Sequence, residues 1–362
     1  LTGKKKVIVA MSGGVDSSVT AALLLEQGYD VAGVTMRLWD APRPETEEEH
    51  AGCCSPSAAE DARSVAVKLG IPFYVLDFHH IFKEKVIDYF TAEYLRGRTP
   101  NPCIACNRQV KFQALLDKAL SLGAHYIATG HYARLAFSAK YGRYTICRPF
   151  DRKKDQTYVL YGLTQHQIAH TLMPLGEYTK DQVRLKAAGL GLEVADKAES
   201  QEICFIPDDN YRNFLREKKV DVKPGPIINL AGEVIGQHNG IPFYTVGQRR
   251  GLGIAAGERL YVVKIDPQAN AVTLGPEEAI LGCDLVAADV NLVLFEKLDG
   301  PLKVQAQIRY NGKPAPATVT PLPDSNISVH FHQPLRSITP GQAVVFYLGD
   351  CLAGGATIVS AG

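Results

Sequence analysis

Nine residues, Ala10-Met11-Ser12-Gly13-Gly14-Val15-Asp16-Ser17-Ser18, interrupt a short apolar run over 7–10 and restart the chain as a helical pattern over 17–27. Glycine pairs allow the tight backbone path that joins a strand to a helix, so this is the turn of a βα unit. The same alternation continues outward. Residues 31–36, 73–76 and 125–128 read as strands, and 57–69, 81–95 and 112–120 as helices. Repeated strand–helix units of this length imply an α/β fold, a doubly wound parallel sheet with helices on both faces. Ligands in such sheets sit beyond the carboxyl ends of the strands, so function is expected in the loops that follow them.

After residue 208 the texture changes. Glycine and proline become frequent, helical periodicity fades, and strand-like runs appear at 261–265, 304–308, 327–331 and 343–348. Short strands separated by turns suit small barrels. The expected division is 1–207, 208–279 and 280–362. Segment 40–54, with Glu45, Glu47, Glu48 and Glu49, reads as a solvated, mobile loop.

The 362 residues carry 39 basic and 38 acidic side chains, a net charge of +1. That balance argues against a histone-like binder and leaves room for a local basic groove. No apolar run approaches the roughly 18 residues that a membrane-crossing helix needs. The first apolar run is too short for a secretion signal, so a cytosolic protein with no membrane partner is expected. In that compartment the eight cysteines are not expected to form structural disulfides. Cys147, Cys283 and Cys351 read as small buried hydrophobes. The adjacent Cys53 and Cys54 read as a packing or loop feature with no assigned role.

The loop over 10–18 has the chemistry of a phosphate cradle. Gly13 and Gly14 let the backbone approach an anion, Ser12, Ser17 and Ser18 add hydroxyls, and the helix N-terminus adds its dipole. A Walker loop would need GxxxxGK and a dinucleotide fingerprint GxGxxG, and neither is present. SGGxDS after a first strand resembles instead the PP-loop ATP pyrophosphatases. The resemblance implies that Ala10, Met11, Ser12, Gly13, Gly14, Val15, Asp16 and Ser17 bind ATP, which is split between its α and β phosphates. It also implies that Asp16 helps hold Mg2+ and that Met36 and Gly130 flank the adenosine.

Such an enzyme makes an adenylate, and something must then displace AMP. Thr99-Pro100-Asn101-Pro102-Cys103-Ile104-Ala105-Cys106-Asn107 reads as a proline-stiffened loop carrying CxxC ahead of a helix near Phe112. A thiol near a helix N-terminus has a lowered pKa and a larger thiolate fraction. Far along the chain, Glu199-Ser200-Gln201-Glu202-Ile203-Cys204-Phe205-Ile206 places another cysteine in a polar-flanked segment.

With these come CNRQVKF from Cys106, ATGHYAR from Ala128, KDQTYVL from Lys154, SQEICFI from Ser200, YTVGQRRGLGI from Tyr244, the pair Arg309 and Tyr310, and PGQAVVFY from Pro340. In this order, end to end, they resemble the tRNA-specific 2-thiouridylases. The resemblance implies a PP-loop catalytic domain, a small β-rich central domain and a C-terminal β-barrel. It implies an enzyme that replaces the 2-oxygen of the wobble uridine by sulfur in tRNAs for Lys, Glu and Gln, releasing AMP and pyrophosphate. Cys204 would carry a persulfide from a sulfur donor such as a cysteine desulfurase or sulfur relay protein. Cys106 would be the nucleophile that resolves the transfer through a transient disulfide with Cys204. Since a disulfide needs Cα atoms within about 7 Å, the segment around Cys204 is expected to move or fold over bound tRNA. Asn101, Pro102 and Cys103 would form the target-base loop. His131, Lys154, Asp155, Gln156, Arg309, Tyr310 and Gln342 would contact the anticodon region of the tRNA. Lysine and arginine suit phosphate, and tyrosine can stack on a base.

The chain departs from that family at one place. Better-known members read Asn-Pro-Asp in the target-base loop, with the aspartate as acid or base, where this chain has Cys103. Cys103, Cys106 and Cys204 then resemble the three thiolates with which related PP-loop tRNA thiolases hold a [4Fe-4S] cluster with one open iron. The persulfide and cluster routes both stay open on sequence. Two other classes compete. An amidating PP-loop synthetase needs no paired cysteines and would usually bring a glutaminase domain, and none is recognisable. An RNA-binding protein on an old enzyme scaffold would have no need of an intact SGGxDS loop.

Overall fold

The computed structural model describes residues 3–39, 56–197, 203–206, 210–218, 220, 222–254 and 257–362. The acidic segment 40–54, with Cys53 and Cys54, and residues 199–202 ahead of Cys204 lie outside the described residues. The chain forms two compact units. One comprises Leu1–Val86, Cys103–Asp209 and Asp350–Leu352, the other Ile87–Pro102, Asn210–Gly349 and Ala353–Gly362.

In the first unit, β1 (Lys6–Ala10), β2 (Asp30–Arg37), β3 (Phe73–Asp77), β4 (Tyr126–Ala128) and β7 (Thr171–Leu172) form a parallel sheet in the order β3-β2-β1-β4-β7. Val7, Ile8 and Val9 are all buried, as a strand covered on both faces requires. Helices α1 (Val15–Glu26) and α2 (Pro56–Leu69) place Val15, Val19, Leu23, Ala62 and Val65 in one core cluster with Val7, Val9 and Met11. The chain runs from β1 outward through β2 to β3, then returns to the other side of β1 with β4. The carboxyl end of β1 is therefore the topological switch point, and the 10–18 loop leaves from it.

Three features depart from the sequence-based expectations. The CxxC stretch is helical rather than a loop. The helix begins at Pro102 (Pro102–Cys106) and continues as a π-helical stretch, Asn107–Ala114, into Leu115–Ser121. Proline suits the first helical position because its φ is preset and its missing N–H has no partner to lose. Second, a hairpin of β5 (Arg134–Ser138) and β6 (Arg143–Cys147) follows β4, where no strands were read. Third, Cys147 and Cys351 form a disulfide, and neither they nor Cys283 are fully buried. The two sit directly opposite each other on antiparallel strands with Cα atoms 4.0 Å apart, a pairing that a sequence separation of 204 conceals.

In the second unit, β8 (Gly225–Ile228), β9 (Val234–His238), β10 (Tyr261–Asp266) and β11 (Ala271–Gly275) make a small sheet in the order β10-β11-β8-β9. Strands β12 (Leu281–Leu292), β13 (Leu302–Gln307), β14 (Ala315–Pro321), β15 (Ile327–Arg336), β16 (Ala343–Leu348) and β17 (Cys351–Ala361) run β12-β15-β14-β13-β16-β17, and β17 pairs back onto β12. Closure removes the exposed sheet edges. The barrel is filled by side chains such as Val319, Val329, Phe331, Val344 and Phe346, all at 0% exposure. Among the described residues no helix is long and apolar enough to cross a membrane.

Candidate active site

The glycine-rich loop is held from below by the sheet. Met11 N donates to Val34 O at 2.8 Å, and Thr35 Oγ1 donates to Met11 O at 2.7 Å. Gly13 has φ +68°, and a Cβ there would stand 2.1 Å from the Ala58 carbonyl oxygen, so only glycine fits against α2. Ser17 Oγ accepts from Ser12 N at 3.1 Å and donates to Gly14 O, while Ser18 Oγ donates to Gly14 O at 2.9 Å. Gly14 is the N-cap of α1 and provides no side-chain cap. Amides at such a helix start are left to meet an anion.

Gly130, just past β4, closes the cradle on its other side. A Cβ on it would lie 2.9 Å from both Asp16 C and Ser17 N. Met36 lies half-buried near the end of β2, opposite Leu76 of β3. The Asp16 carboxylate is engaged on both oxygens. Lys180 Nζ donates to Oδ1 at 2.7 Å and Oδ2 at 2.8 Å, and the Tyr132 hydroxyl donates to Oδ1 at 2.8 Å. Lys197 reaches the same loop, with Nζ 3.2 Å from Gly13 O and an ion pair to Asp61. No sequence pattern around Lys180, Tyr132 or Lys197 marks them as partners of this loop. Tyr132 lay inside the ATGHYAR motif, but nothing local signals Lys180, 164 residues from Asp16.

Of the three thiols in question, Cys103 is exposed, Cys106 is buried and Cys204 is half-buried. Cys106 ends the short helix that starts at Pro102. Behind it, Asn107 is 2% exposed and donates from Nδ2 to Val159 O at 3.1 Å, which pins the helix to the turn after Gln156. Cys204 lies beside two anchors, Phe205 and Ile206, at 3% and 1% exposure. The Phe205 ring meets Phe82 edge-on at 5.8 Å. Among the described residues no three His, Cys, Asp or Glu side chains come together to hold a single metal ion.

The expected tRNA contacts fall in both units. In the first, His131 Nδ1 lies 2.8 Å from Thr129 Oγ1, with its ring 5.6 Å from Phe112. Burial, and then the nearby Lys111 charge, hold its pKa well below the ordinary imidazole value, so it is neutral at pH 7. Lys154 is half-buried and ends a 3-10 turn, Arg152–Lys154. Asp155 Oδ1 accepts from Thr157 N and Oγ1 at 2.9 and 2.6 Å, and Gln156 Oε1 accepts from Tyr132 N at 2.8 Å. In the second unit, Arg309 and Tyr310 are exposed, and Gln307 Nε2 donates to both of their carbonyls at 2.7 Å. Arg309 also donates to the carbonyls of Arg336 and Ser337, each at 2.8 Å. Gln342 Nε2 donates to Thr99 O at 2.9 Å, and Thr99 N donates to Pro340 O at 2.9 Å. Gln342 thus braces the backbone just ahead of Asn101 and Pro102.

Three family models match the chain consecutively. They are described as a tRNA methyl transferase HUP domain (residues 5–208), a tRNA methyl transferase PRC-barrel domain (212–276) and an aminomethyltransferase beta-barrel domain (284–358). The chain is 70% identical over 359 residues to the tRNA-specific 2-thiouridylase MnmA of Pelotomaculum thermopropionicum, covering 99% of this chain and 98% of that one. It is 60% identical to the same-named protein of Desulforamulus reducens, over 98% of this chain and 97% of that one. The one from Carboxydothermus hydrogenoformans is 58% identical, with 98% of each chain covered.

Proposed function

The chain belongs to the tRNA-specific 2-thiouridylase family, and from that premise we propose how its own residues divide the work. It is an enzyme, a tRNA-uridine 2-sulfurtransferase that uses ATP. The single observation that carries this is the unbroken match to 2-thiouridylases across 99% of the chain. The CxxC pair and the glycine-rich loop supply the chemistry that such a reaction requires. The matched family segments support a division at 1–207, 208–279 and 280–362.

The loop over Ala10–Ser17 holds the phosphates of ATP, with Met36 and Gly130 beside the adenosine. Asp16, Ser12 and Ser17 offer hard oxygen donors that suit Mg2+, which when bound would neutralise phosphate charge. The 2-oxygen of the wobble uridine attacks the α-phosphorus. The bond to the β-phosphate breaks, pyrophosphate leaves with the electron pair, and the N3 proton is lost. A persulfide on Cys204, loaded by a cysteine desulfurase or sulfur relay protein, attacks C2 with its outer sulfur, and AMP departs. The Cys106 thiolate then attacks Sγ of Cys204. The S–S bond breaks towards the uridine sulfur, N3 regains its proton, and a Cys106–Cys204 disulfide remains for an external dithiol to reduce. The segment around Cys204 moves over bound tRNA to allow this.

Asn101, Pro102 and Cys103 face the target base. His131, Lys154, Asp155, Gln156, Arg309, Tyr310 and Gln342 line the route of the anticodon arm of tRNAs for Lys, Glu and Gln. With one oxygen each of Asp155 and Gln156 already bonded within the fold, these two act by shaping the surface as well as by contact. No step is assigned to an iron–sulfur cluster. The test is incubation of protein, ATP, magnesium, a persulfide source and unmodified tRNA, followed by nucleoside mass analysis. Uridine should gain one sulfur with stoichiometric AMP, and formation of the thiolated base without AMP would exclude the adenylate.

A further inference from the structure

One charge on the ATP loop is unused by the steps above. Lys180 opens the helix Lys180–Gly189, whose N-cap Thr179 and third residue Gln182 cap each other reciprocally. Its backbone N–H also donates to Asp151 Oδ2 at 3.0 Å. The main chain at Lys180 is thus fixed from two sides, and its side chain, 9% exposed, points to the loop with the ammonium across both oxygens of Asp16. The Tyr132 hydroxyl holds the same carboxylate, and the ammonium lies 5.9 Å from the centre of the Tyr132 ring. Removing an ammonium from water costs several kcal/mol, and an apolar side chain would fill the space without that cost. What a cation adds at this place is attraction for the polyanion that the loop is built to receive.

We propose that Lys180 is a ligand of the β,γ-pyrophosphate of ATP. This rests on the ATP-using role given to the loop above. In the nucleotide-free protein the ammonium rests on Asp16. When ATP enters, it transfers its hydrogen bonds to phosphate oxygens and stays with them as the bond between the α-phosphorus and the β-phosphate oxygen breaks. The leaving pyrophosphate keeps the electron pair, and Lys180 keeps its proton throughout. Lys197, anchored by Asp61 beside Gly13, contributes a second positive charge at the edge of the loop.

The test uses the full chain and its variants Lys180→Met, Lys180→Gln and Lys180→Arg, with ATP, inorganic pyrophosphate and AMP as calorimetric probes. Lys180→Met should weaken ATP and pyrophosphate by about tenfold or more and leave AMP within about twofold, because AMP lacks the two phosphates concerned. Lys180→Arg should recover most of the loss. Lys180→Gln, which removes the charge and keeps a polar end, should show the same selective loss for ATP and pyrophosphate. Parallel weakening of all three probes by Lys180→Met would make the residue structural and overturn the proposal, as would unchanged affinity for ATP and pyrophosphate. If Lys180→Met does not fold, Lys180→Gln decides, and its binding ATP and pyrophosphate as tightly as wild type would overturn the proposal. A wild-type chain that binds no ATP would instead remove the ATP-using role itself.

Discussion

A methyl group on Gly130 would sit 2.9 Å from the carbonyl carbon of Asp16 and 2.9 Å from the amide nitrogen of Ser17. An ordinary contact begins near 3.4 Å, so Gly130→Ala must push the start of α1 away by about 0.5 Å. The neighbours resist, because Asp16 is tied to Lys180 and Tyr132 and Ser17 is tied to Ser12 and Gly14. A charge-assisted bond from a loop amide to phosphate contributes about 1.5–3 kcal/mol. Losing about half of one through displacement costs about 0.8–1.5 kcal/mol, which is about four- to twelvefold in Kd for ATP. The overpacking should also lower stability by about 1–3 kcal/mol. Gly189→Ala is the matched control. No atom lies within 4 Å of the added carbon, the site is an exposed helix end, and alanine should stabilise by about 0.4–1 kcal/mol with ATP affinity unchanged. Calorimetric titration with ATP and a denaturant melt of each variant provide both numbers. If Gly130→Ala bound ATP within about twofold of wild type, the closeness of this segment to the phosphate cradle would have no functional meaning.

Cys106→Ser and Cys204→Ser should each abolish formation of thiolated uridine while still releasing pyrophosphate when tRNA and ATP are present. Full thiolation in the double variant would end the thiol-based mechanism. Protein made anaerobically should contain well under one iron per chain and thiolate tRNA in the presence of a chelator, and three to four irons per chain would restore the cluster route. Burial lowers the pKa of His131 and His238, so below pH about 6.5 each binds less proton in the folded chain than in the unfolded one. Their contribution is complete above that pH and is lost as pH falls, at up to about 1.4 kcal/mol per pH unit for each group. Urea midpoints between pH 7.5 and 5.5 should therefore drop less steeply in His131→Asn and His238→Asn, and equal slopes would contradict the assignment. The Cys147–Cys351 bond closes a long loop, so a reductant should lower the melting temperature of wild type and leave Cys147→Ser/Cys351→Ser unaffected, with about 2–4 kcal/mol at stake.

What the sequence made legible was local. SGGxDS is contiguous, and the alternation of strand and helix repeats over short spans, so the parallel sheet and its switch-point loop could both be anticipated. The helical start at Pro102 was hidden because two prolines within three residues resemble a loop, although proline at a first helical position is favoured. Lys180 on Asp16 and Cys147 on Cys351 could not be read, since each pairing exists only when distant strands and helices come together. The tRNA contacts came from resemblance alone. Composition gave no sign that Gln342 spends its amide on the backbone of Thr99 or that Gln156 spends its carbonyl on Tyr132.

Thr99 also limits how the chain can be cut. Residues 87–102 lie inside the stretch matched by the first family model, yet they pack with the barrel-bearing unit. Thr99 is stitched there by its amide to Pro340 and by its carbonyl to Gln342, and Gly341 is pressed so close that a Cβ would stand 2.8 Å from the Thr99 nitrogen. A fragment ending near residue 208 would keep the nucleotide loop but strip these supports from the extended segment leading to Asn101 and Pro102. The apparent modularity of the primary sequence therefore does not extend to the folded molecule, and a minimal excised catalytic half would need a substitute brace for this peptide.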